Sequence, residues 1–192
     1  MRSKDIPTQV RYVAVALLFA LCSVVCVPHF LSEFPFLPSL SDRMLPLPFA
    51  LLCAVLFLRT WRLIFAVPLM FGVWFVSVGV GFYVGVIVAR YSLSLLPGCA
   101  GGLIGGVGLV LCVATCYPRL FSWRQLLRGA AVGAVGAFPF TFWVAKYFDS
   151  NSSSATVVAR PLLLCAFVIW QVTVGTYLYA ICTEANRNIQ PC

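Results

Sequence analysis

The sequence predicts an all-α polytopic membrane protein, a single domain over residues 1–192 built as a six-transmembrane-helix bundle with glycine-rich packing helices. Three observations lead there. Hydrophobic residues make up 62% of the chain and charged residues 9%, where an ordinary soluble domain carries about 45–50% and about 25%. The apolar residues gather in runs parted by short segments that hold most of the arginines and half of the prolines. One run, Pro97 to Tyr117, is long and apolar enough to cross a bilayer, yet it carries Gly98, Gly101, Gly102, Gly105, Gly106 and Gly108. At helical spacing those glycines, with Cys112, Thr115 and Cys116, cover one half of the helix, and Leu103, Ile104, Val107, Val110 and Leu111 cover the other. Small residues let helix backbones approach closely, which is how helices associate in lipid, where burying apolar surface gives little drive.

The elements follow in order. Residues 1–10 are a short polar arm with Arg2, Lys4 and Asp5, and the first span is read over residues 11–27. No small-x-small cleavage site follows it, so it is taken as an uncleaved span rather than a signal peptide. Residues 28–45, with Pro28, Pro35, Pro38, Phe30, Phe34 and Phe36, are too rich in proline to span and too aromatic for a solvated loop. They are expected at the membrane interface. A short second span is expected at 45–58 and a long third at 63–89, with Pro68 the natural place for a bend. The glycine helix is the fourth span, 97–117. A basic connection, 118–128, leads to the fifth at 129–147, where Gly129, Gly133 and Gly136 repeat the small-residue device and are expected to meet the glycine helix. Residues 148–156 form the clearly hydrophilic loop, the sixth span is read over 160–183, and a polar tail closes the chain.

Orientation comes from the cations. With the N-terminus inside, nine of the thirteen Lys and Arg residues (Arg2, Lys4, Arg11, Arg59, Arg62, Arg119, Arg124, Arg128 and Arg187) face the cytoplasm. That bias predicts N- and C-termini on the cytoplasmic side of a plasma or inner membrane. The net charge of +8 is spread singly and in pairs between apolar runs, which is a topology pattern and not a nucleic-acid surface. A weak echo between Trp61-Arg62 and Trp123-Arg124, and between 66–71 and 137–142, has unequal internal spacing and reads as chance.

The chemistry is defined largely by missing parts. Asp5, Glu33, Asp42, Asp149 and Glu184 are the five carboxylates, and all fall outside the expected spans, so the usual ion relay of a coupled transporter has no candidate. His29 is the single histidine, and no phosphate-binding loop or Cys-x-x-Cys occurs. Nine cysteines include the i,i+4 pairs Cys22/Cys26 and Cys112/Cys116, which lie at different depths and cannot share an ion. Cys26, Cys99 and Cys165 lie near one outer level, where a disulfide is conceivable. No metal, cofactor or catalytic set is therefore expected, and a non-enzymatic protein is the better reading.

Two polar features remain. Gln171, Thr173 and Tyr177 lie in the sixth span and are candidate ligand contacts, with interhelical hydrogen bonding as the plainer role. Arg59, Arg62, Arg119, Arg124 and Arg128 form a cytoplasmic basic patch suited to anionic headgroups or an acidic partner, beside their part in setting topology. The expected function is a small-solute-binding or transport subunit in the lipid bilayer, acting with other membrane subunits or as a homo-oligomer. The alternative is an interaction, sensory or assembly subunit with no ligand path. The layout is similar in size to the substrate-binding membrane subunits of vitamin importers and to membrane sensor modules, a similarity of shape that carries no residue across.

Overall fold

The computed structural model describes residues 7–31, 47–57, 63–89, 96–118, 122–149 and 155–187. They form six α-helices, with no strand among the described residues: α1 Thr8–Leu31, α2 Leu47–Phe57, α3 Leu63–Ala89, α4 Leu96–Cys116, α5 Trp123–Asp149 and α6 Ala155–Arg187. Two helical stretches, Leu96–Cys116 and Cys165–Ala185, are long and apolar enough to cross a membrane, a property that buried helices of soluble proteins share. Thr8–Val24, Leu47–Leu56 and Phe65–Gly81 are shorter apolar stretches.

Several boundaries differ from the sequence expectation, each for a local reason. Helix α1 runs through Pro28 to Leu31, so residues 28–31 are helical; residues 32–45 of the expected interfacial segment lie outside the described residues. Pro68 inside α3 and Pro139 inside α5 are likewise carried within their helices. In apolar surroundings, leaving several backbone groups unpaired costs more than losing the one bond a proline removes. Residues 123–128, expected as connection, are the first turns of α5. Ser122 caps that helix, accepting a hydrogen bond on Oγ from the Gln125 N–H at 3.2 Å, while the Ser122 carbonyl accepts from Leu126 N–H at 3.1 Å. At the other end of the preceding link, Pro118 follows immediately on the last turn of α4, which closes with Tyr117 N–H donating to the Val113 carbonyl at 2.9 Å.

Helix α4 lies between α3 and α5, α5 packs in turn on α6, and α6 on α1, while α2 touches α1, α3 and α6 and closes the ring. The α4–α5 seam is antiparallel and repeats every four residues on both sides. A Cβ on Gly98 would meet the Ala137 carbonyl at 2.6 Å and Thr141 Oγ1 at 2.7 Å, and one on Gly102 would strike Gly133 and Ala137. One on Gly106 would strike the Gly129 carbonyl, and Val110 covers Gly129. A four-residue repeat on both partners is the ridge-into-groove class in which i±4 rows interdigitate, and small residues along it bring backbones together.

That seam corrects two expectations. Gly136 does not meet the glycine helix: it faces α6, where an added Cβ would lie 3.2 Å from Thr173 Cβ, and Ala137 takes the seam position after Gly133. Val110 does not belong to the outward half of α4, being buried against Gly129, whereas Leu103 and Leu111 are exposed as expected. The second row of α4 glycines serves α3: Gly101 approaches Ser77 and Gly81, Gly105 approaches Ser77, and Gly108 meets Val73. Helix α4 is therefore small-sided toward two neighbours at once.

The rest of the core centres on α6. Phe49 of α2 bridges Phe19 of α1 and Trp170 of α6, with ring centroids 5.4 and 5.6 Å apart. Phe167 receives Trp74 of α3 at 6.3 Å and Phe140 of α5 at 5.0 Å. Phe19, Cys53, Ala66, Val113, Ala137 and Leu178 are buried among them, so one continuous core joins all six helices.

Candidate functional site: polar contacts between the helices

Three hydrogen-bonded contacts tie helices together inside this apolar bundle, and they account for two of the three candidate ligand residues on α6. Gln171 is 2% exposed, and its Oε1 lies 2.6 Å from Ser23 Oγ on α1. The same hydroxyl lies 2.8 Å from the Phe19 carbonyl one turn earlier. A hydroxyl has one proton. With the carboxamide turned over, Gln171 Nε2 donates to Ser23 Oγ while Ser23 donates to Phe19, and all three groups are satisfied.

Tyr177 looks the other way, toward α5. Its hydroxyl donates to Gln125 Oε1 at 2.8 Å, with the Gln125 carbonyl at 3.2 Å. Thr173 shares that side of α6, next to Gly136, and donates to the Ile169 carbonyl of its own helix at 2.7 Å. At about 100° per residue, Thr173 and Tyr177 share a face that Gln171 does not. The structure thus brings Thr173 and Tyr177 to the α5 interface and Gln171 to the α1 interface; the three do not converge on one point. Thr176 Oγ1 is buried with no hydrogen-bond partner among the described residues.

The third contact is Ser77 on α3, whose hydroxyl donates to the Gly101 carbonyl of α4. Sequence reasoning overlooked both Ser23 and Ser77. Each is a single hydroxyl inside an apolar run, and that is the signal that would have found them, since such a group buried in a helix bundle must reach a partner. Gln125 lies in 118–128, whose polar residues predict a connection, so its sequence context carries no sign of a helix contact. In every one of these contacts a hydroxyl meets a backbone carbonyl or a side-chain carboxamide, so the arrangement fastens α1 to α6, α5 to α6 and α3 to α4.

Of the basic patch, Arg124 and Arg128 are described, and both are exposed on the first turns of α5; Arg59, Arg62 and Arg119 lie outside the described residues. Trp123 and Leu127 beside them are 72% and 52% exposed. Cys99 and Cys165, considered for an outer disulfide, are free thiols, while the Cys26 side chain lies outside the description. Among the described residues no group of three or more His, Cys, Asp or Glu side chains is placed to hold a metal ion.

The chain matches no protein family, no curated protein and no solved structure.

Proposed function

We propose that the chain is an integral membrane subunit: six spans, both termini cytoplasmic, non-enzymatic, working with partner proteins. The observation that carries this reading is an apolar exterior on every helix, with the few buried polar side chains turned inward to the core. Val13, Leu17 and Leu21 on α1, Val55 on α2, Val76 on α3, Leu103 on α4, Val135 on α5 and Ile169 on α6 are all exposed. Ser23, Ser77, Thr141 and Gln171 are buried. Exposed large apolar side chains on every one of the six helices go beyond the scattered few that a soluble monomer carries. Lipid is the solvent that suits it, and in lipid a polar side chain gains by turning inward to a partner.

Within that class, a small-solute-binding or transport subunit would use Gln171, Thr173 and Tyr177. One specific observation favours the alternative, an interaction or assembly subunit: each of the three already has a hydrogen-bond partner within the bundle. Purification in mild detergent, with identification of what comes along, separates the two. An ATPase or a second transport subunit in stoichiometric amount supports the solute reading, and a receptor or enzyme partner supports the assembly reading. A chain that purifies alone and leaves the membrane on a carbonate wash refutes both.

A further inference from the structure

The first turns of α5 carry more than a connection needs. By helical geometry of about 100° per residue, the residues there form an ordered arc: the exposed Trp123, Leu127, Arg124 and Arg128, and then the half-buried Gln125. One edge is apolar, with Trp123 72% and Leu127 52% exposed. The middle is two guanidinium groups one turn apart, with no ion pair to either among the described residues. The inner edge is fixed: half-buried Gln125 is held through its Oε1 by the Tyr177 hydroxyl at 2.8 Å. Ser122 caps the same turn, so the backbone beneath the arc is anchored as well.

Resting on the membrane reading above, we propose that this arc binds the phosphate of an acidic phospholipid headgroup. Arg124 and Arg128 hold the phosphate, Gln125 donates from the side, and Trp123 and Leu127 sit at the boundary between headgroup and acyl chain. Guanidinium forks suit phosphate oxygens. An exposed indole beside them suits headgroup depth, where its ring is half in hydrocarbon and its N–H half in water. The occupant is a lipid and not a free phosphate because half of the arc is apolar and gains nothing from a soluble anion.

The test uses the full chain reconstituted in vesicles of phosphatidylcholine, alone or with phosphatidylglycerol added, reading retained lipid by native mass spectrometry and the melting temperature. Wild type is expected to retain phosphatidylglycerol preferentially and to melt higher with it. Each arginine near an anionic surface is worth roughly fivefold in affinity, so Arg124→Gln with Arg128→Gln should lose roughly twenty-five-fold. The double Lys variant should recover most of that loss and Trp123→Ala should lose part of it. Arg11→Gln, an exposed cation on α1 beside the Tyr12–Tyr179 ring pair, should change little. An equal loss from Arg11→Gln would mean diffuse charge and would overturn the site, as would displacement of the lipid by soluble glycerol phosphate. Indifference to phosphatidylglycerol in a protein that resists a carbonate wash overturns the site alone; extraction by carbonate overturns the membrane reading with it.

Discussion

Gly106 of α4 and Gly129 of α5 approach so closely that a methyl group on Gly106 would overlap the Gly129 carbonyl. The atom in the way is backbone, so it cannot rotate aside as a side-chain end would. The two helices are held at this spacing over three successive turns by Gly98, Gly102 and Gly106 on one side and Gly129, Gly133 and Ala137 on the other.

Gly106→Leu should therefore force α4 and α5 apart. Overpacking a close seam costs about 1–3 kcal/mol or more, and the expected result is a sharply lower yield and melting temperature in detergent. Leu103→Ala, on the exposed side of α4, should shift the melt by no more than about 0.5 kcal/mol equivalent. Equal tolerance of both changes would show that the seam is looser in solution than the structure has it.

Ser23 and Gln171 should be energetically coupled. Gln171→Leu and Ser23→Ala each break the α1–α6 contact, so the double variant should lose less than the sum of the two. The coupling expected for a buried helix–helix hydrogen bond in lipid is about 0.6 kcal/mol, up to about 1.7. Strict additivity in thermal or denaturant unfolding would mean the contact contributes nothing. Loss of a bound solute with the melt unchanged would return Gln171 to the ligand role.

Tyr177→Phe removes the hydroxyl that holds Gln125 and should lower stability by about 0.5–1.5 kcal/mol, the range for one internal hydrogen bond. Gln125→Ala should cost a similar amount, and the two together little more than either. A double variant that melts as low as the two losses added would show that Tyr177 and Gln125 act separately.

Topology is tested by labelling. In a background free of native cysteines, Ser152→Cys should react with an impermeant thiol reagent from outside the cell, and Ser122→Cys should not. Reaction at 122 from outside would invert or break the six-span arrangement proposed above.

How much of this was legible in the chain differs from one feature to the next. The positions of the helices were readable, because the apolar runs are separated by segments too polar or too rich in proline to be buried. So were the exposed residues Leu103 and Leu111, since on a glycine-rich helix the bulky positions stand apart from the small ones. Faces elsewhere were not readable. On α3 nearly every residue is apolar, whether it points to the core like Met70 or outward like Val76. Hydrophobic periodicity marks an interior only when the outside is polar.

By itself, then, the sequence determined that the chain is helical, about where each helix lies, and that α4 and α5 carry small residues for close contact, because length, apolarity and side-chain volume are properties of each segment alone. Tertiary structure decided the partners. It gave Gly136 to α6 and its expected position to Ala137, drew Val110 inward onto Gly129, and paired Ser23 with Gln171 across 148 positions of sequence. Each of those outcomes depends on which helix is adjacent and how far it is rotated about its axis. Neighbour and rotation are fixed by how all six helices fill space together, and no single segment contains that information.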